Sequence, residues 1–283
     1  MKTNEIINSD VIDALKDLPD NSVDCCVTSP PYFGLRDYGV EGQIGLEKTP
    51  EEYIAKLTEV FRHVRRVLKP EGTLWLNIGD SYNGYKGNSK REYCGSDYAG
   101  FRNQPTRPAN FGLECKGLKE KDLIGIPWLL AFALRAEGWY LRQDIIWNKP
   151  SVMPESVKDR CTKSHEYIFL LSKSKRYYFD SRSIAEPVST FDNIVRERKT
   201  SKLNNTPGRT PMKGLVRNNY TTKNKRSVWT VSTKPFKGAH FAVFPEQLVE
   251  PCIKAGCPED GIVLDPFMGS GTTAVVARKL GRN

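Results

Sequence analysis

Thr28-Ser29-Pro30-Pro31-Tyr32 follows the apolar run Val23-Asp24-Cys25-Cys26-Val27, and the join between the two decides the fold. The run reads as a buried strand. Two successive prolines lack the backbone N–H that a central strand needs, so the strand stops there. The carbonyls of Ser29 and Pro30 are then left to accept hydrogen bonds from another group. A hydroxyl, free carbonyls and an aromatic ring at a strand end suit a flat ring bearing an amino group. A plain Pro-Pro turn with a buried tyrosine is the alternative that this stretch alone leaves open.

Near the far end, Gly261-Ile262-Val263-Leu264-Asp265-Pro266-Phe267 reads as a second buried strand. It runs into Met268-Gly269-Ser270-Gly271-Thr272-Thr273-Ala274 and an apolar helix. A Gly-x-Gly turn between strand and helix lets a ligand approach the backbone at a helix amino terminus. No lysine follows the second glycine, so this is not a phosphate-binding P-loop. On its own the turn suits a dinucleotide equally well.

Together, Ser-Pro-Pro-Tyr and Asp-Pro-Phe-x-Gly-x-Gly-Thr-Thr resemble the S-adenosylmethionine-dependent DNA amino-methyltransferases. Their order resembles the circularly permuted beta group of that family, and the likeness spans nearly the whole chain. It implies an α/β fold: an open, mainly parallel, doubly wound Rossmann-like sheet with a basic insert. It implies catalytic roles for Ser29, Pro30, Pro31 and Tyr32. It implies cofactor contacts from His240, Phe244, Asp265, Phe267, Gly269, Gly271 and Thr272. Asp10 is a further cofactor candidate, placed on the adenine side by the resemblance, and reads equally as a helix N-cap. In the family the glycine-turn helix leads to a strand whose end carries an acidic residue for the ribose. Here Leu280-Gly281-Arg282-Asn283 is a helix-stop signal and no acid follows Asp265. The carboxyl end is therefore expected to be truncated by a strand and a helix, with weak cofactor binding as the consequence.

A net charge of +10 favours a polyanionic partner, double-stranded DNA in the family's terms. Seven cysteines without a paired Cys-x-x-Cys argue against a disulfide framework and a zinc site. His165-Glu166 has Phe169 where a zinc motif needs its second histidine, so no metal is expected. No run reaches membrane-spanning length and the amino terminus has no signal-like segment, which points to cytoplasm. A cognate restriction endonuclease is a possible companion.

Three parts are expected: a catalytic part over 1–180, a basic target-recognition insert over 181–227, and a cofactor-binding part of the same domain over 228–283. Glu5 to Asp10 reads as a strand before a helix from Val11 to Leu18. Thr49-Pro50-Glu51-Glu52 opens a helix with a capping box. Its Arg62, Arg65, Arg66 and Lys69 read as a solvated face. Glu71-Gly72 turns into a strand over Thr73 to Ile78; strands follow at 143–148 and 166–171. Phe33 to Gly45 reads as a loop over the site, and Asn83 to Lys121 as a DNA-facing loop. Thr190 to Arg226 holds ten Lys or Arg against two acids and cannot build a core of its own. Arg196, Arg198, Lys199, Arg209 and Arg217 are its DNA-binding candidates, for phosphates and base edges. A basic insert without that role is the alternative.

The implied reaction is methylation of an exocyclic amine on a flipped base. Serine before Pro-Pro-Tyr leans to cytosine N4; adenine N6 is the alternative. A catalytically impaired DNA-binding fragment, a dinucleotide-dependent oxidoreductase, and methylation of RNA or of a protein amide are the remaining rivals. An oxidoreductase has no use for Ser-Pro-Pro-Tyr.

Overall fold

The computed structural model of the chain describes residues 2–35, 39–83, 117–188, 221–233 and 245–283. In chain order the elements are α1 (Val11–Asp17), β1 (Val23–Thr28), α2 (Pro50–Val67), β2 (Leu68–Ile78), α3 (Ile126–Ala136), β3 (Tyr140–Asn148) and β4 (His165–Ser172). They continue with β5 (Glu186–Pro187), β6 (Thr222–Lys223), β7 (Val228–Thr230), α4 (Glu246–Gly256), β8 (Val263–Leu264) and α5 (Thr272–Lys279). Asp180–Arg226 is a compact unit of its own, in which β5 and β6 pair antiparallel; the rest of the chain forms the larger unit.

The larger unit is built on one six-stranded sheet, ordered β7-β3-β4-β2-β1-β8. Only β4 runs against the others. Side chains alternate across the sheet, as a period of two requires. Cys26, Leu74, Leu76, Phe169 and Leu171 join one buried cluster with Leu57, Phe61 and Val64 of α2 and Leu130 and Leu134 of α3. Across the sheet, Val27, Trp75 and Ile168 face Leu248, Val249 and Cys252 of α4 around a small space. The sheet is thus covered on both faces, the arrangement expected of a mainly parallel sheet.

Several local expectations need correction. Residues 5–10 form no strand, and Ile6 is 73% exposed. A strand needs a neighbour to pair with; β8 pairs with β1 on one side and with no strand among the described residues on the other. That same edge leaves β8 only two residues long. Glu71-Gly72 does not precede β2 but lies within it: the pairing with β1 jumps from Val23–Leu68 to Cys25–Thr73, and the extra residues bulge out. The capping box of α2 is offset by one. Thr49 Oγ1 accepts from Glu52 N at 3.2 Å, while Glu52 Oε2 accepts from Lys48 N at 3.1 Å rather than from Thr49 N.

The basic residues of α2 and β2 keep partly solvated side chains, Arg62 being 59% exposed, but each of three also holds a partner. Arg66 donates to the carbonyls of Leu15 at 2.6 Å and Leu18 at 2.9 Å, which satisfies the open carboxyl end of α1. Arg62 holds Glu137 through two bonds of 2.9 and 3.0 Å. Lys69 pairs with Asp24 at 2.8 Å. Among the described residues, no helix is long and apolar enough to cross a membrane, and no cluster of metal-ligating side chains occurs.

Candidate active site

The parallel strands bring their carboxyl ends to one edge of the sheet, where such sheets bind ligands. Ser29 to Tyr32 leave β1 there, Asp265 to Thr272 leave β8, and Gly79-Asp80 leave β2. Because β4 is reversed, its first residues, His165 and Glu166, reach the same edge. Lys149 follows β3 and lies beside them.

At the end of β1, Ser29 is half-buried and Pro30 buried. No donor among the described residues reaches the carbonyl of Ser29 or Pro30. Pro31 differs: its carbonyl accepts from the Tyr53 hydroxyl at 2.7 Å, which anchors the turn from α2. Tyr32 points its hydroxyl into the sheet, donating to Glu166 Oε2 at 2.8 Å with Asn77 Oδ1 at 3.3 Å. Burial, then the Glu166 charge, pushes the Tyr32 phenol well above its ordinary value, so it stays protonated and donates. Its ring lies against Gly79, where any β-carbon would collide with it.

Asp265 is wholly engaged within the chain. Oδ1 accepts from Thr28 Oγ1 at 2.6 Å and Phe267 N at 3.0 Å; Oδ2 accepts from Thr273 Oγ1 at 2.7 Å. Burial raises its pKa, against the opposing pull of those three donors. Its carboxylate therefore ties the ends of β1 and β8 to the start of α5, which fixes the glycine turn between them. In that turn Gly269 has φ +52° and Gly271 φ +82°, left-handed conformations that favour glycine. Nothing lies within 4 Å of where a Gly271 β-carbon would stand. Thr272 opens α5, with its hydroxyl 3.3 Å from that of Ser270. Phe267 packs on the core. A cleft of about 480 Å3 opens beside the turn, lined among others by Ile6, Ser9, Leu15, Val263, Asp265 and Met268. That cleft runs on between α1 and α5 as far as Arg278 and Asn283; the open backbone turn at the start of α5 is what fits the charged tail of a cofactor. Asp10 caps α1, its Oδ1 accepting from Ile12 N at 2.9 Å and Asp13 N at 3.3 Å.

His240, Phe244, Arg196, Arg198, Lys199, Arg209 and Arg217 lie outside the described residues. So do residues 36–38 of the loop over the site and most of the 83–121 loop.

Four site residues escaped the sequence reading. Glu166 receives Tyr32, pairs with Lys149, and accepts from Asn77 Nδ2 at 3.2 Å. Asp80 Oδ1 accepts from Ser81 N at 2.9 Å and from Gly125 N and Ile126 N at 3.0 Å, so it caps α3 from outside. The available signals were polar residues at the ends of apolar strands: Asn77 before Ile78, and His165-Glu166 before Tyr167-Ile168-Phe169.

Residues 23–283 match the model of a DNA methylase family. The Type II methyltransferase M.SmaI of Serratia marcescens is 49% identical over 282 residues, covering all of this chain and 85% of that protein. M.Cfr9I of Citrobacter freundii, also a Type II methyltransferase, is 46% identical, covering 97% of this chain and 79% of that protein. Among solved structures, the PvuII cytosine-N4-specific DNA methyltransferase superposes with a TM-score of 0.62 at 19% identity, covering 97% of this chain and 78% of that one. A putative DNA modification methylase of Thermus thermophilus, complexed with S-adenosyl-L-methionine, gives 0.56 at 22% identity, covering 97% and 83%.

Proposed function

The chain belongs to the DNA methylase family of N4 and N6 amino-methyltransferases, and from that premise we propose that it methylates the N4 amine of a cytosine flipped out of duplex DNA. It is an S-adenosylmethionine-dependent DNA methyltransferase of Type II kind. What supports cytosine over adenine is serine at position 29 before Pro-Pro-Tyr; its half-buried hydroxyl stands beside two carbonyls that no described donor reaches, acceptors that would serve either amine.

An exocyclic amine is a poor nucleophile because its lone pair is delocalised into the ring. When bound, S-adenosylmethionine supplies a methyl group made electrophilic by its sulfonium. The chain's part is to present the amine and stabilise the charge that develops on it. Ser29 Oγ and the Pro30 carbonyl accept its two N–H groups, which frees the lone pair and counters the growing positive charge. Tyr32 offers its ring to the flipped base, a stacking contact of about 1–3 kcal/mol. Holding the amine in line with the methyl group lowers the barrier further. Gly269, Gly271 and Thr272 hold the cofactor's charged end, and Asp265 keeps that turn in shape. Asp10, His240 and Phe244 complete the cofactor side.

The unit at Asp180–Arg226 carries the basic residues that choose the sequence, Arg196, Arg198, Lys199, Arg209 and Arg217 among them.

Sequencing DNA from cells that express the gene, by a method reporting modified bases in context, tests the base assignment. N4-methylcytosine at one recurring sequence is expected; N6-methyladenine instead would overturn it.

A further inference from the structure

A carboxylate and an ammonium group are paired at the site edge, and both are largely withdrawn from water. The Lys149 and Glu166 side chains are only 17% and 15% exposed. Lys149 also stands over the Trp147 ring at 4.2 Å. Withdrawing both charges from water costs several kcal/mol for each ion, and such pairs add little net stability. The pair faces Tyr32. Glu166 turns one oxygen to Lys149 and the other to the Tyr32 hydroxyl, and Asn77 Nδ2 braces that second oxygen while donating to the Tyr167 carbonyl at 3.1 Å. Lys163 approaches the same edge and donates to the Asp80 carbonyl at 3.1 Å.

A tyrosine has two rotatable bonds, and a half-buried ring can swing about both. Here the ring is held at two places: Gly79 takes it at close range, and Glu166 takes its hydroxyl. A charged acceptor holds a phenol about twice as firmly as a neutral one. Asn77 alone, at 3.3 Å, is a weak substitute.

We propose that Glu166 is the positioning residue for Tyr32, with Lys149 orienting Glu166 in turn. Neither touches the base. The role rests on the reading above, that Tyr32 faces the flipped base, and adds what keeps its ring in that place.

A double-mutant cycle tests it. The quantities are the single-turnover methylation rate and the emission of a fluorescent base analogue at the target position, with the unfolding midpoint of every variant as a check. Glu166→Ala should slow methylation about tenfold in the wild-type background and by less than twofold in Tyr32→Phe, which has no hydroxyl to hold. Loss of a partner for Lys149 occurs in both backgrounds and cancels. Glu166→Gln keeps an acceptor for the phenol and should recover much of the rate. An equal cost in both backgrounds would overturn the anchor, because Glu166 would then act independently of Tyr32. Unchanged emission in Tyr32→Ala would overturn something different, the base-facing reading itself.

Discussion

Gly79 stands so close to Tyr32 that a β-carbon there would lie 2.6 Å from the ring's Cε2. The end of β2 is thereby shaped to the ring that leaves β1. Gly79→Ala should displace Tyr32 from its bond to Glu166 and cost about 1–3 kcal/mol through overpacking. Methylation should fall about tenfold while cofactor binding is kept. Paired urea titrations and single-turnover assays check this; a variant with native rate would show that the ring can shift without consequence.

Asp265 should behave as a structural tie with a pH signature. Asp265→Ala leaves Thr28, Thr273 and Phe267 N without their acceptor and should cost about 3 kcal/mol. Asp265→Asn keeps one oxygen and should cost less. Burial raises the folded pKa above the unfolded one, so the folded chain binds this proton more tightly. The stability from that proton is fully present below the unfolded pKa and is lost as pH rises through the folded one. The advantage of the natural protein over Asp265→Asn should therefore shrink as pH rises from the ordinary carboxylate range through the raised folded pKa, followed by denaturant titrations at a series of pH values. A widening gap would contradict the assigned shift.

Neutralising Arg196, Arg198 and Lys199 together should flatten the salt dependence of DNA binding, by about 0.9 in logarithmic slope for each phosphate that no longer has a cation beside it. Fluorescence anisotropy over a salt series measures it. An unaltered slope would move the DNA surface elsewhere, first to the 83–121 loop.

Much of this architecture is legible in the chain because prolines and glycines mark its turning points. Pro30-Pro31 ends β1 where the ladder loses its donors, and Gly269 and Gly271 take left-handed φ values that few other residues adopt. What stays hidden depends on neighbours distant in sequence. Glu166 reads as the start of an apolar strand; only the reversal of β4 brings it 2.8 Å from the Tyr32 hydroxyl, 134 positions away. Ile6-Ile7 carries a strand-like pattern, yet a strand forms only where another lies beside it. Arg66 reads as solvated until α1 folds its carboxyl end onto it.

The central claim is that Ser29 presents a cytosine amine for methylation. Purified protein, labelled S-adenosylmethionine and duplex DNA, followed by digestion to nucleosides, put it to the test most directly. The label should appear in N4-methyldeoxycytidine, and Ser29→Ala should lower its rate of appearance by about 100-fold with DNA affinity unchanged. Label in N6-methyldeoxyadenosine, or a native rate from the alanine variant, would contradict it.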